Sequence, residues 1–290
     1  MSANLLDFSR NITSEHGEDG VLEKIFEIIG ADRWCVELGA LNGVHGSNVW
    51  HLAKKGGWSS VLIEADKTYF EKLQQEYAGI ERAYCVNAFV SFEGEYSLDT
   101  IFARTPLPHV FDLFSLDIDG NEYHLWDSMV AYRPRVMLVE FNPSIPNDVA
   151  FIQPRNMKIF QGSSLRAFVE LGKRKGYELV ATNETNAFFV FEELFPKFGI
   201  SDNSIDALHA DRRYETKLFQ LYDGTLRISG YDHLIWHNLT IDVEKLQVLP
   251  RHARRYPAHI DESGTLRAFK YWMRKFPLYP WLQRVRAFLK

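Results

Sequence analysis

The chain has 290 residues, 46% hydrophobic and 24% charged, with a net charge of -5; that size and balance bury a sizeable core and exclude disorder as the default. No apolar run approaches the length of a membrane span, and the opening MSANLLDFSRNITSEHGEDG has neither the basic start nor the apolar stretch of a secretory leader, so a cytoplasmic address is expected. Residues 251–290 hold ten Lys and Arg against Asp261 and Glu262, so the tail is +8 and the remainder carries -13 to give the net -5; an acidic body argues against nucleic acid as the ligand of the core.

In chain order, the first predicted helix is EDGVLEKIFEIIG, where Val21, Leu22, Ile25, Phe26, Ile28 and Ile29 form an apolar stripe that Gly30 ends. RWCVELGA reads as a short buried strand running into a glycine loop, and SNVWHLAKKGG as a helix that Ser47 caps and Gly56 ends. SSVLIEAD is a second strand, KTYFEKLQQEYAG a helix, RAYCVNAFV a third strand and SLDTIFA a short helix. FDLFSLDIDG is a fourth strand, followed by a helix in NEYHLWDSMVAY for which Asn121 is the expected cap; PRVMLVEFNPSIP is a fifth strand ending at two prolines. Cys35 and Cys85 both fall in strands and are expected to be reduced packing residues; no zinc-ligand spacing exists.

Strand and helix alternating five times predict right-handed crossovers and a parallel sheet covered on both faces. Ligands of such sheets bind beyond the carboxyl ends of the strands. The polar residues gather there: Glu37, Gly39 and Asn42 after the first strand, Glu64 and Asp66 at the second, Asn87 at the third, Asp117 and Asp119 at the fourth, Glu140 and Asn142 at the fifth. The first loop, Gly39-Ala40-Leu41-Asn42-Gly43, lacks the middle glycine of a dinucleotide fingerprint and has no Lys or Arg for a phosphate. A neutral-to-cationic nucleoside fits better: Glu64 can accept two ribose hydroxyls, and Glu37 lies near where an amino group or sulfonium is welcome. S-adenosylmethionine has all of these groups. SSLRAFVELGKRKG then reads as a helix, and YELVATNETNAFFVF as a hairpin turning at Asn183 to Asn186, which by analogy of fold separates a methyltransferase sheet from a dinucleotide one.

SEHGEDG, VELGALNG, LIEADK, LDIDGNE and GYELV resemble, in this order, the motifs of S-adenosylmethionine-dependent methyltransferases of the FkbM type, over roughly residues 13–192. The resemblance implies a Rossmann-like α/β class I sheet, mostly parallel with one antiparallel strand, and an O-methyltransferase acting on hydroxyls of sugars, glycans or secondary metabolites. It matches Glu37, Gly39, Glu64 and Asn87 to cofactor-contacting positions; Ala40, Asn42, Gly43, Ala65, Ala88 and Asp117 complete the expected cofactor set. Where that family commonly has glutamate as the second acid of its fourth-strand motif, this chain has Asp119.

Methyl transfer is an in-line displacement, so the protein must align the acceptor and help remove a hydroxyl proton. Asp119, His124 and Glu140 are the catalytic candidates, although His124, flanked by Tyr123, Leu125 and Trp126, equally suits a capping or packing role. Asp117, Asp119, Glu140 and Asn142 form an all-oxygen set suited to Mg2+ or another hard divalent cation, similar to metal-dependent catechol and macrolide-sugar methyltransferases. The alternative, in which one acid holds the cofactor's amino group and the others bind acceptor hydroxyls without metal, stands beside it. The connection NPSIPNDVAFIQPRNMKIFQGSS is too long for a simple turn, and its Phe151, Gln153, Arg155 and Phe160 are expected either to close over an acceptor or to pack on the sheet edge. His16, Glu18 and Asp19 either line the pocket or begin the first helix.

Residues 1–195 are expected to form the methyltransferase domain and 196–290 an appendage of short strands, turning at Asp223-Gly224 and near Gly230, with a basic, aromatic-rich helical tail. That tail suits an anionic membrane surface or a partner protein, or packs on its own domain or a second subunit. N-methylation of an amino sugar, and a non-catalytic scaffold of the same fold, are the rival readings.

Overall fold

The computed structural model describes residues 4–234, 237–256, 271–273 and 275. The expected helical pieces of the tail lie almost wholly outside them. The chain divides into two compact units, Met1–Glu215 and Thr216–Lys290.

The first unit is built on a seven-stranded sheet: β1 (Trp34–Leu38), β2 (Ser59–Glu64), β3 (Ala83–Asn87), β4 (Val110–Leu116), β5 (Arg133–Glu140), β6 (Tyr177–Thr182) and β7 (Asn186–Phe191). The order is β3-β2-β1-β4-β5-β7-β6. The pairings β3-β2, β2-β1, β1-β4 and β4-β5 are parallel, whereas β7 runs antiparallel to both β5 and β6. This is the expected Rossmann-like sheet with an antiparallel strand delivered by a terminal hairpin. Asn183 closes that hairpin, its Oδ1 accepting from the N–H groups of Thr185 and Asn186.

Alternation along the strands loads both faces. Val36, Leu38, Val61, Ile63, Phe114 and Leu116 point into one core, with α3 (Leu98–Phe102), α4 (Glu122–Ser128) and α5 (Leu165–Arg174) laid over it through Phe102, Trp126 and Phe168. Cys35, Leu62, Leu113 and Leu138 point into the other, beneath α1 (Glu18–Ile29) and α2 (Lys67–Glu76), which contribute Leu22, Ile25 and Leu73. Neighbouring residues serving opposite cores is the period of two that a doubly covered sheet imposes. Both cysteines are free thiols, Cys35 fully buried.

Two local expectations are corrected. The helix read over SNVWHLAKKGG shrinks to one π-helical turn, His51–Lys55, because the Gly56 N–H reaches back five residues to the His51 carbonyl, and that turn has no side-chain cap; Ser47 Oγ accepts instead from Val49 and Trp50 N–H just upstream. Asn121 does not cap α4: it sits in the left-handed region at φ 73° with no side-chain capping bond.

The second unit contains the hairpin of β8 (Thr216–Gln220) and β9 (Leu226–Gly230), turning at Asp223-Gly224, and a two-stranded piece of β10 (His233–Leu234) and β11 (Leu239–Thr240). Among the described residues no helix is long and apolar enough to cross a membrane.

Candidate functional site

At the carboxyl ends of β1, β2, β4 and β5, and just past β3, lies a cavity of about 410 Å³. Among the described residues, five carboxylates line it, those of Glu15, Glu64, Asp117, Asp119 and Glu140, and no Lys or Arg does; His45 is the one basic side chain among them. Leu38, Leu41, Ile63, Ala88, Phe89 and Val90 make the apolar wall on the β1–β3 side, and Met157 and Phe160 the opposite rim. Such a cavity repels a pyrophosphate and suits a neutral or cationic ligand with an apolar part.

Glu64 is held by its own neighbours, one oxygen accepting from Leu41 N–H at 2.8 Å and the other from Asp66 N–H at 2.7 Å. Each carboxylate oxygen retains a lone pair for a ligand hydroxyl. Gly39 is required by the chain itself: at φ 86°, a Cβ there would stand 2.0 Å from the Asp117 carbonyl oxygen. Ala65, Ala88 and Asp117 line the cavity as expected.

Other expected cofactor residues serve the scaffold behind it. Glu37, 3% exposed, accepts from Ser47 Oγ and Asn48 N–H, both at 2.7 Å, and burial pushes its carboxyl up to about 7. Asn42 folds its Oδ1 onto the N–H groups of Val44 and His45. Gly43 packs against Leu73 and Tyr77, where a Cβ would clash. Ala40 is buried in the core, and Asn87 donates to the carbonyls of Glu64 and Ala65, tying the ends of β2 and β3 together.

The acids of β4 and β5 do converge. Burial first, then the charge of Asp119, raises the Asp117 carboxyl to about 6; burial and then the charge of Asp117 push Glu140 well above the usual carboxylate range. The two side chains interact directly, which lowers Asp117 against the effect of burial and raises Glu140 along with it. Asp119 reaches the cavity by turning the chain at φ 59°.

Asn142 does not join them. It is 2% exposed, its Oδ1 accepts from Ser144 N–H and Oγ, and its Nδ2 donates to the Gln161 carbonyl. With Asn142 consumed by these bonds, the expected four-oxygen set is not assembled. Among the described residues no three His, Cys, Asp or Glu side chains are placed to hold a metal. His124 also turns elsewhere: its Nε2 donates to the Gln153 carbonyl at 2.7 Å, and its ring meets Phe92 and Tyr123 edge-on.

The long connection after β5 is a fixed structure. Gln153, 1% exposed, donates to the Ile159 carbonyl and accepts from Gly162 N–H; Asn121 Nδ2 donates to the carbonyls of Asn156 and Ile159. These bonds carry Phe160, 60% exposed, to the cavity rim. Arg155 lies over the Phe92 ring at 4.7 Å, and Phe151 exchanges hydrogen bonds with Ser164.

A second, larger cavity of about 830 Å³ lies between residues 4–17, the β6 end with its turn, and residues 200–213. His16 lines it, paired with Glu184 at 3.2 Å. It lacks the strand-end acids, so the smaller cavity is the better candidate site despite its size. Glu18 and Asp19 line neither: Glu18 binds Asn183 and Asn186 of the hairpin, and Asp19 gathers the N–H groups of Ile12, Thr13 and Ser14.

Five residues at or behind the cavity escaped the sequence analysis. Glu15 and His45 approach each other at 3.7 Å on the cavity lining, and both are well exposed; only the position of Glu15 beside His16 hinted at it. Phe89 and Met157 carry no polar signal. Glu122 stood within the quoted LDIDGNE motif without a role; it is wholly buried, and burial pushes its carboxyl to about 8.

No family model matches the chain, and no curated protein matches it. Solved structures do. The N-terminal domain of EvdMO1 with S-adenosylhomocysteine bound is similar over 61% of this chain and 82% of that one, at 14% identity and a TM-score of 0.40. The O-methyltransferase from Bacillus cereus in complex with S-adenosylhomocysteine covers 59% and 78%, at 21% identity and 0.41. The CcbJ methyltransferase from Streptomyces caelestis covers 61% and 90%, at 11% identity and 0.38. At such identities and scores the likeness carries nothing about activity, which has to rest on the strand order and the cavity.

Proposed function

We propose that this protein is an S-adenosylmethionine-dependent methyltransferase that methylates a hydroxyl of a sugar, glycan or secondary metabolite. The observation that carries the reading is the strand-end cavity, with five carboxylates, an apolar wall and, among the described residues, no Lys or Arg, at the carboxyl edge of a sheet whose terminal hairpin supplies an antiparallel β7. The cofactor's cationic sulfonium and ammonium suit that acidity, and its uncharged adenosine suits the wall beside Glu64.

In this reading Glu64 accepts the ribose hydroxyls, and Leu41, Ala88, Phe89 and Val90 enclose the base. Bound, the cofactor supplies an electrophilic methyl group. Asp117 and Asp119 hold negative charge toward the ligand. With its carboxyl raised to about 6 by burial, Asp117 is basic enough to take the acceptor's proton, and Glu140, raised by burial and the charge of Asp117, stands beside it. A base of this kind favours a hydroxyl acceptor, whose proton has to be removed. Phe160 and Met157 offer an apolar rim to the acceptor.

Calorimetric titration with S-adenosylhomocysteine and, separately, with NAD tests the reading. The wild type should bind the first and not the second, and addition of magnesium to chelator-treated protein should leave the affinity unchanged. Glu64→Ala should lose roughly 1–3 kcal/mol of binding, the worth of a charged hydrogen-bond acceptor. Binding of NAD with none of S-adenosylhomocysteine would sink the proposal.

A further inference from the structure

The turn after β4 is the most constrained part of the cavity wall. Asp119, Gly120 and Asn121 all have positive φ, at 59°, 136° and 73°; the two non-glycine residues flanking Gly120 keep such conformations only when the surroundings over-determine them. One support is the 153–162 segment, bonded to Asn121 and packed so tightly on Gly120 that a Cβ there would meet the Ile159 carbonyl at 3.0 Å. The other is Glu122. Its Oε1 accepts from Ile118 N–H at 3.1 Å and Gly120 N–H at 2.6 Å, the amides on either side of Asp119. Its Oε2 is buried with no partner.

A carboxyl with 0% exposure and one unpartnered oxygen is costly to retain if any apolar residue would do. Without its Oε1, however, the N–H groups of Ile118 and Gly120 lose their acceptor. We propose that Glu122 is a positioning residue: by accepting from the amides of Ile118 and Gly120, it holds Asp117 and Asp119 on the cavity wall where they meet the ligand. The identity of that ligand rests on the methyltransferase reading; the positioning does not. Asp117 and Asp119 on the turn and Glu140 on β5 make the surroundings acidic, and burial with the charge of Asp117 favours a neutral Glu122 at pH 7. Glutamine is therefore a close mimic, able to accept the same two bonds. Methionine fills similar volume and accepts none.

The test compares wild type, Glu122→Gln and Glu122→Met at pH 7 by calorimetry with S-adenosylhomocysteine, and by hydrogen–deuterium exchange of ligand-free peptides spanning residues 116–123. Glu122→Gln should bind within about threefold of wild type and keep its exchange protection. Glu122→Met should bind on the order of tenfold more weakly and exchange faster at the turn. If Glu122→Met does not fold, Glu122→Asp, which withdraws the carboxyl by one methylene, takes its place with the same expected losses. Wild-type affinity and exchange in the methionine variant, or equal losses in the glutamine and methionine variants, would overturn the positioning role. If the wild type binds no S-adenosylhomocysteine, the functional reading fails, and the exchange pattern still decides the role of Glu122: faster in methionine and unchanged in glutamine supports it, no difference overturns it.

Discussion

Four carboxyl side chains at or behind the site are more basic than ordinary ones. Burial is the leading cause in each: Glu37 rises to about 7, Asp117 to about 6, Glu122 to about 8, and Glu140 moves in the same direction. The sign follows from linkage. A group whose folded-state value lies above its unfolded value binds protons more tightly when folded, so its stabilising contribution is full below the unfolded value and is lost as pH rises through the folded one. Between its unfolded and folded values, about 4.5 to 7 for Glu37, 3.8 to 6 for Asp117 and 4.5 to 8 for Glu122, each such group contributes a slope of up to roughly 1.4 kcal/mol per pH unit against stability. The melting temperature should therefore fall between pH 5.5 and pH 8.5, and Glu122→Gln, which has nothing to ionise, should fall less. A wild-type melting temperature that rises over that interval would contradict the burial of these acids in the protonated form. The sequence placed Glu37 and Glu64 alike, as acids ending adjacent strands. It could not say that Glu64 lines the cavity while Glu37 turns to Ser47 and Asn48, because alternation assigns a side and not the partner waiting there.

At the level of elements, β4 and β5 are joined by more than their ladder. Asp112 in β4 is fully buried and accepts from Arg135 Nη1 of β5 at 2.7 Å and from Trp34 N–H of β1 at 3.0 Å. The same Arg135 donates to the carbonyls of Ile29 and Gly30, closing the end of α1 against the sheet. Removing the cation strands a buried carboxylate, so Arg135→Met should cost about 3–5 kcal/mol of unfolding free energy, and the double variant Asp112→Leu with Arg135→Met should recover a large part of it. Denaturant midpoints for the three proteins check this; a near-neutral single variant would mean that Asp112 finds another partner or a proton. This pairing was invisible beforehand, since one acid in an apolar run and one base in the next strand do not announce that they meet. The strands themselves were legible, because a sheet covered on both faces needs continuous apolar runs such as Val36 to Leu38 and Leu113 to Phe114. Elements whose form depends on a single hydrogen bond were not: the π-turn at His51–Lys55 follows from where the Gly56 N–H lands, and the left-handed Asn121 follows from bonds to a segment 35 residues away.

For the whole molecule, a mostly parallel sheet with one antiparallel strand was the decisive inference, and it was available because few rules govern it: right-handed crossovers for β1 to β5 and a tight polar turn for the terminal hairpin; the strand order, with β7 beside β5, came only with the structure. Those rules say nothing about what lies beyond the sheet, where the chain turns to short strands and a basic tail. Among the described residues, both hydrophobic cores are assembled from Met1–Glu215, and so is the lining of the candidate cavity. A unit that contains its own cores and its own site has what it needs to fold and bind alone. A fragment comprising residues 1–215 should melt cooperatively and bind S-adenosylhomocysteine within about threefold of the full chain. Its failure to fold would assign Thr216–Lys290 a structural role. A fragment that folds but binds much more weakly than the full chain would instead place part of the binding energy in that second unit, and with it the search for what recognises the acceptor.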